Sequence, residues 1–185
     1  MAPVFFVGKK NGKRRMVQDY QYLNEWTIKN NYLLLLISDV LENIGTKKLF
    51  MKMDLRWGYN NVRIKEGDEW KAAFTMPEGL FEPTVMFFGL TNSPATFQAI
   101  MNELLRDLIN TGKIVVFIDD VIVGMESKER HDELVAEVIK RLEENDLYVK
   151  LEKYKWKVKK VGFLGVVIRP EGIKMEEEKV KGVLE

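Results

Sequence analysis

The chain has 185 residues, 46% hydrophobic and 31% charged, a globular balance that can bury a core and predicts one domain, or one with a small appendage. It has no cysteine and a single histidine, His131. That excludes disulfides, thiolate metal sites and His-rich zinc sites, so any metal must be held by oxygen, which favours magnesium, manganese or calcium. The net charge of +1 divides unevenly: residues 1–65 carry 12 basic against 5 acidic groups, the remainder 17 against 23. A basic first third suits a phosphate-binding surface, and equally a solvated lysine-rich face.

No apolar stretch approaches the ~20 residues of a membrane span, and no charged-then-apolar signal opens the chain. The expectation is an intracellular protein, in cytoplasm or a virus-like particle, with no secretion signal and no membrane partner. Both ends read as cut.

In chain order, Val4 to Val7 and Arg15 to Tyr20 predict two strands joined at Asn11-Gly12, a strong hairpin turn. The run from Tyr32 to Ile37 is extended or buried, and Ser38 caps a short helix that ends at Gly45. Leu49 to Leu55 alternates apolar and polar residues as a half-buried strand does. Residues 72–76 and 81–86 are strand candidates around Pro77-Glu78-Gly79. Ser93-Pro94 opens a helix as cap followed by proline, running to about Leu108. Lys113 to Gly124 holds two β-branched runs around a charged pair. An amphipathic helix follows, from Ser127 to Asn145, then a strand near Tyr148–Leu151 and a hairpin over Val161–Ile173. From residue 49 onward this order predicts a split β-α-β layout, an antiparallel sheet with helices on one face.

The charged pair is Asp119-Asp120, set between Ile114–Ile118 and Val121–Val123. Buried strands penalise unpaired aspartates, so the pair belongs at the tight turn of a hairpin, with its carboxylates at the end of the sheet. Alone it reads equally as an ordinary surface turn. Asp54 adds to it, because it ends another apolar strand and is followed by Leu55 instead of a turn residue. Acids from two strand ends of one sheet can converge on two divalent cations about 3.5–4 Å apart. Such a site suits nucleotidyl transfer, which needs no particular protein base, and no serine–histidine partnership offers another chemistry.

Seven segments occur in the order found in reverse transcriptases of gypsy-type LTR retrotransposons, and the chain resembles that family over nearly its whole length. They are Phe5 to Asn24, KMDLRWGYNNVRI (52–64), KAAF (71–74), GLTNSPATFQAIMN (89–102), FIDD (117–120), LYVKLEKYKW (147–156) and GFLG (162–165). The resemblance implies an α+β fold: a polymerase palm with a ferredoxin-like split β-α-β sheet, plus a partial β-rich fingers subdomain. It implies partial fingers over 1–48 and palm over 49–185, with a fingers-type segment at about 65–92 interleaved. The family's thumb, connection and RNase H would lie beyond this chain.

For individual residues the resemblance implies Asp54, Asp119 and Asp120 as catalytic carboxylates. Asp54, Asp119 and the Leu55 carbonyl would be ligands of two Mg²⁺ or Mn²⁺ ions. Lys9 or Lys10 with Arg15 would hold a dNTP triphosphate, helped by backbone amides near Trp57 and Gly58. Tyr59 would lie beneath the nucleotide sugar and exclude a 2′-hydroxyl, or simply pack in the core. Phe88 would meet the nucleotide and Gln98 the template side, with core packing the alternative for each. Phe117 and Ile118 would flank the primer terminus, and the hairpin at Gly162, Gly165 and Gly172 would be the primer grip. Phe163 and Trp156 would fill core.

The chain departs from the family pattern at Phe117, where tyrosine is usual, and at Tyr32-Leu33-Leu34-Leu35, which replaces Tyr-Pro-x-Pro. Phe87 stands for a common proline and Tyr154 for a common cysteine. The implied partners are an RNA or DNA template with its primer, dNTP, and the thumb, RNase H and integrase of a parent polyprotein. The competing expectation is a domesticated or catalytically incompetent fragment that binds nucleic acid or other proteins.

Overall fold

The computed structural model describes residues 2–8, 12, 14–32, 44, 47–151 and 155–176. In chain order the first elements are β1 (Ala2–Gly8), β2 (Arg14–Gln18), α1 (Gln21–Trp26), β3 (Leu49–Arg56), β4 (Phe74–Met76), β5 (Gly79–Phe81), α2 (Ser93–Leu104) and α3 (Arg106–Ile109). There follow β6 (Ile114–Phe117), β7 (Asp120–Met125), α4 (Lys128–Glu143), β8 (Tyr148–Val149), β9 (Lys155–Val158), β10 (Val161–Phe163), β11 (Val166–Arg169) and β12 (Gly172–Met175). The chain divides into two compact units, one of Met1–Tyr32 with Trp57–Phe97, the other of Leu33–Arg56 with Gln98–Glu185. Asn11 of the expected hairpin turn, the run 33–37 and the helix expected after Ser38 lie outside the described residues. So do Lys9, Lys10 and Tyr154.

In the first unit β1 and β2 pair antiparallel, Val4 opposite Gln18 and Gly8 opposite Arg14. β1 also runs parallel to β4, and β4 pairs with β5. Ala2, Tyr20, Ala72 and Phe74 are the buried heart of this unit, with Val4, Met16, Leu23, Ile64 and Phe87 packed around them. The Tyr20 hydroxyl donates to the Ala72 carbonyl at 2.8 Å, and burial pushes its pKa up to about 12. The second strand expected here was 81–86. Pairing of Met76 with Gly79 leaves Pro77-Glu78 as a two-residue turn, so the strand starts at Gly79 and stops before Pro83, which has no N–H to donate.

In the second unit the sheet order is β6-β7-β3-β8, with β9 also on β3, and every pairing is antiparallel. This is the expected split β-α-β layout. Alternation along the strands gives the sheet two faces. One carries Met51, Met53, Leu55, Val121 and Val123, all fully buried; α4 packs on β7 and α3 on β6. The other carries Phe50, Lys52 and Asp54 of β3 with Ile122 and Asp120 of β7. Phe50, Val115 and Ile122 there join Ile44 and Val161, Phe163 and Ile168 in one apolar cluster.

β3 is therefore buried on both faces, unlike the half-buried strand its alternation suggested. Pairing on both edges and packing on both faces overrides the weak polar signal of Lys52 and Asp54. The long helix expected from Ser93 to Leu108 breaks at Leu105 (φ −112°), dividing it into α2 and α3. Its cap also shifts by one residue: the Asn92 carbonyl accepts from Thr96 N–H at 2.9 Å, and the Ser93 hydroxyl donates to the Phe87 carbonyl. The closing hairpin is a three-stranded meander, β10-β11-β12, turning at Leu164-Gly165 and Pro170-Glu171.

Gly124 lies on β7 opposite Phe50, where an added Cβ would meet Ile44 Cγ1 and Lys47 Cγ, each at 2.9 Å. Gly124→Ala is expected to lower unfolding stability by about 1–3 kcal/mol through overpacking, measured by urea denaturation.

Candidate active site

β6 returns into β7 through the two residues Ile118 and Asp119, with Phe117 paired to Asp120. Ile118 has φ 55°, in the left-handed region that β-branched residues avoid at a cost of roughly 1–2 kcal/mol. Three hydrogen bonds hold the turn. Ile118 N–H donates to Gln98 Oε1 at 2.7 Å, and Gln98 Nε2 donates to the Val116 carbonyl at 3.0 Å. Leu55 N–H donates to the Asp119 carbonyl at 2.8 Å, tying the turn to β3. Gln98 is 1% exposed and its amide is spent inside the unit, on β6 and on Asn102 Oδ1 at 2.8 Å. In this arrangement the strained turn and Asn102 take the amide of Gln98, for which template contact and core packing were the two expectations.

The β3–β7 register places Asp54 directly opposite Asp120, and the turn sets Asp119 beside them. Like charges directly opposite on paired strands repel. The Asp119 carboxyl is held above the usual aspartate range, first by burial and then by the charges of Asp120 and Asp54. The three catalytic candidates are thus one electrostatic cluster. Two lysines from the same unit answer it. Lys150 Nζ pairs with Asp54 Oδ1, while its backbone N–H donates to the Asp54 carbonyl at 2.8 Å. Lys52 Nζ sits 2.8 Å from Asp120 Oδ2, with the Gly162 carbonyl at 3.4 Å and the Phe163 ring centroid at 5.8 Å.

Lys52 and Lys150 were absent from the residues singled out in the sequence. Lys52 had a visible signal, two residues before Asp54 and so on the same strand face. Lys150 lies within the LYVKLEKYKW segment, but its pairing with Asp54 follows from the fold, which brings β8 beside β3.

The primer-grip candidates also belong to this unit. Gly162 begins close to Glu176, whose Oε1 would lie 2.7 Å from an added Cβ. Leu164 (φ 50°) and Gly165 (φ 83°) form the turn after it. Phe117 meets the buried Phe163 edge to face, centroids 6.4 Å apart. Phe163 fills core as expected, whereas Trp156 is 43% exposed and stands edge-on to His131 at 5.6 Å. His131 itself is fully buried on α4.

The nucleotide candidates gather in the first unit. The Arg15 guanidinium lies 4.9 Å over the Phe88 ring, and Phe88 is 4.8 Å from the Tyr59 ring. Tyr59 is 7% exposed and also meets Phe97 edge-on, so it has a core packing role whatever else it does; Phe88 is 43% exposed. Trp57 is left-handed (φ 61°) and solvent-exposed, and it caps the 3-10 turn Gly58–Asn61, in which Gly58 and Tyr59 are buried.

The donor set here, carboxylates and carbonyls with no sulfur and no imidazole, suits a hard divalent cation, and a cation would relieve the repulsion that, after burial, raises Asp119. As the side chains stand, no three or more Asp, Glu, His or Cys among the described residues are gathered to hold a metal ion. Asp54 and Asp120 are each paired with an ammonium group, Lys150 and Lys52 respectively.

Comparison with known proteins agrees with this architecture. A family model described as reverse transcriptase (RNA-dependent DNA polymerase) matches residues 7–168. The Transposon Tf2-3 polyprotein of Schizosaccharomyces pombe (strain 972 / ATCC 24843) is 35% identical over the whole chain, and the Tf2-7 polyprotein of the same organism is 34% identical. The chain spans about one seventh (14%) of the length of these relatives. A foamy viral protease-reverse transcriptase in complex with double-stranded DNA matches with a TM-score of 0.91, at 28% identity over 100% of this chain and 32% of that one. The same viral protein in complex with an RNA/DNA hybrid matches with a TM-score of 0.88 at 27% identity, over 100% of this chain and 24% of that one. The chain belongs to the reverse transcriptase family, and its retrotransposon relatives agree with the gypsy-type resemblance of its motifs.

Two predictions follow from the cluster and its turn. Gln98→Leu leaves Ile118 N–H and the Val116 carbonyl without their side-chain partner and is expected to cost about 2–4 kcal/mol in chemical denaturation. Asp119→Asn removes a charge that the fold penalises. Because the folded pKa is raised, the penalty is full above that raised value and vanishes below the ordinary value of 3.8. The variant should melt above the parent near pH 7 and lose that advantage once the pH is well below the ordinary aspartate value. An equal or lower midpoint at pH 7 would contradict the crowding.

Proposed function

We propose that this chain is the fingers–palm core of an RNA-directed DNA polymerase that adds dNTPs to a primer 3′-hydroxyl, working within a retrotransposon polyprotein. The observation that carries this reading is the cluster of Asp54, Asp119 and Asp120 at one end of an antiparallel sheet, in a chain of this family. Asp54, Asp119 and the Leu55 carbonyl would hold Mg²⁺ or Mn²⁺. Two such ions supply activation of the 3′-hydroxyl and charge neutralisation of the leaving pyrophosphate.

The chain's own residues do the positioning. Gln98 and the Leu55 amide fix the turn, so the direction of the Asp119 carboxylate is set before substrate arrives. Arg15, with Lys9 or Lys10, would meet the triphosphate, and Tyr59 braced by Phe88 would face the nucleotide sugar. Backbone amides near Trp57 and Gly58 would add phosphate contacts. Phe117, Ile118 and the Gly162–Gly172 region would meet the primer. Met1–Tyr32 with Trp57–Phe97 is read as fingers and the other unit as palm.

The template–primer duplex, dNTP, and the thumb, RNase H and integrase of a parent polyprotein are the partners this reading names. Among the described residues no helix is long and apolar enough to cross a membrane.

A second reading is a catalytically incompetent or domesticated fragment that only binds. The pairing of Asp54 and Asp120 with lysines is the observation in its favour. Primer extension on an annealed RNA template with Mg²⁺ or Mn²⁺ separates the two. Extension by the parent and at least a hundredfold less by Asp119→Asn is expected. No extension by either at high protein and low salt would favour the second reading. Duplex binding by the chain alone should be weak and fall steeply with salt in filter binding, since phosphate contacts dominate such affinity.

A further inference from the structure

The acidic cluster has its own cations. Lys150 lies on the segment after β8 and reaches Asp54, while Lys52 on β3 reaches Asp120 across the strand pair. Neither pair is a surface ornament. The side chains are 26% and 11% exposed in the first pair, and 19% and 21% in the second. Partly buried pairs of this kind resist solvent screening, and breaking one leaves the remaining charge poorly solvated.

The Lys52 ammonium also meets the Gly162 carbonyl at 3.4 Å and lies 5.8 Å from the Phe163 ring centroid, so it has partners besides Asp120. Each lysine occupies a carboxylate that the reading above assigns to catalysis. An ammonium and a divalent ion compete for the same oxygen lone pairs.

We propose that Lys150 and Lys52 are built-in counter-cations of the acidic cluster, holding Asp54 and Asp120 when no divalent ion is bound and releasing them when one binds. They are positioning residues, and the exchange sets the cation affinity of the palm. The proposal rests on the reading that the cluster takes a divalent cation.

Lys150 is anchored by its backbone N–H on the Asp54 carbonyl, so its side chain can swing while its backbone stays in place. Lys52 lies within the central strand, and only its terminal atoms need move.

The test is Mn²⁺ binding to the whole chain without nucleic acid, read by isothermal titration, with melting curves recorded with and without the ion. Lys150→Met is expected to bind Mn²⁺ roughly tenfold tighter than the parent, because a competing charged hydrogen bond is gone. Without Mn²⁺ it should melt lower than the parent, and saturating Mn²⁺ should close that gap. Lys150→Arg, which keeps the charge, should stay near the parent in both readouts. If Lys150→Met does not fold, Lys52→Met carries the same expectation through Asp120.

A folded Lys150→Met that binds Mn²⁺ no tighter than the parent overturns the proposal. If the parent then still binds and Asp119→Asn does not, the cation reading of the cluster survives and only the counter-cation role fails. If neither parent nor lysine variants bind Mn²⁺, both fail together.

Discussion

Three carboxylates at one end of a single sheet repel one another, and the second unit is organised around containing that repulsion. Asp54 and Asp120 face each other because β3 and β7 are paired in one register, and a slip of one residue would turn one of them to the helical face. Asp119 joins them because the β6–β7 return is only two residues long. The register in turn depends on the apolar residues that continue the same strands away from the acids. Phe50 and Ile122 lock one face into the cluster with Val161, Phe163 and Ile168, and Met51, Met53, Val121 and Val123 lock the other.

The strain of this arrangement is local and has identifiable supports. Ile118 holds a left-handed conformation that its branched side chain disfavours, and Gln98 supplies the bonds that keep it there. The lysines offset part of the charge, while burial first and then the charges of Asp120 and Asp54 hold the Asp119 carboxyl above the usual aspartate range. The first unit carries a different chemistry, a cation stacked on an aromatic pair, with Arg15 over Phe88 and Phe88 against Tyr59.

Much of this was legible in the sequence. The β-branched runs flanking Asp119-Asp120 signalled a buried hairpin with acids at its turn, and the order of elements after residue 49 signalled the sheet topology. Motif order identified the family. Other features depended on tertiary context. Lys52 and Asp54 looked like the solvent side of β3 because polar residues in alternation normally are, yet residues of β10 and β11 pack against that face. The stop of β5 at Phe81 and the break of α2 at Leu105 are boundary details that local preference leaves undetermined. For Gln98 the motif left template contact and core packing both open, and only the tertiary structure reveals the strained turn whose Ile118 N–H it accepts from. Lys150 falls in the motif segment 147–156, but its partner Asp54 is legible only from the tertiary pairing of β8 with β3.

The account turns on whether the carboxylates crowd one another and want a cation. The direct measurement is an NMR titration of the aspartate side-chain carboxyl carbons in the metal-free chain, repeated with Mg²⁺. Asp119 should titrate above the ordinary aspartate value of 3.8 without the ion, and its midpoint should fall when Mg²⁺ is added. A midpoint at or below the ordinary value, unmoved by Mg²⁺, would contradict the account.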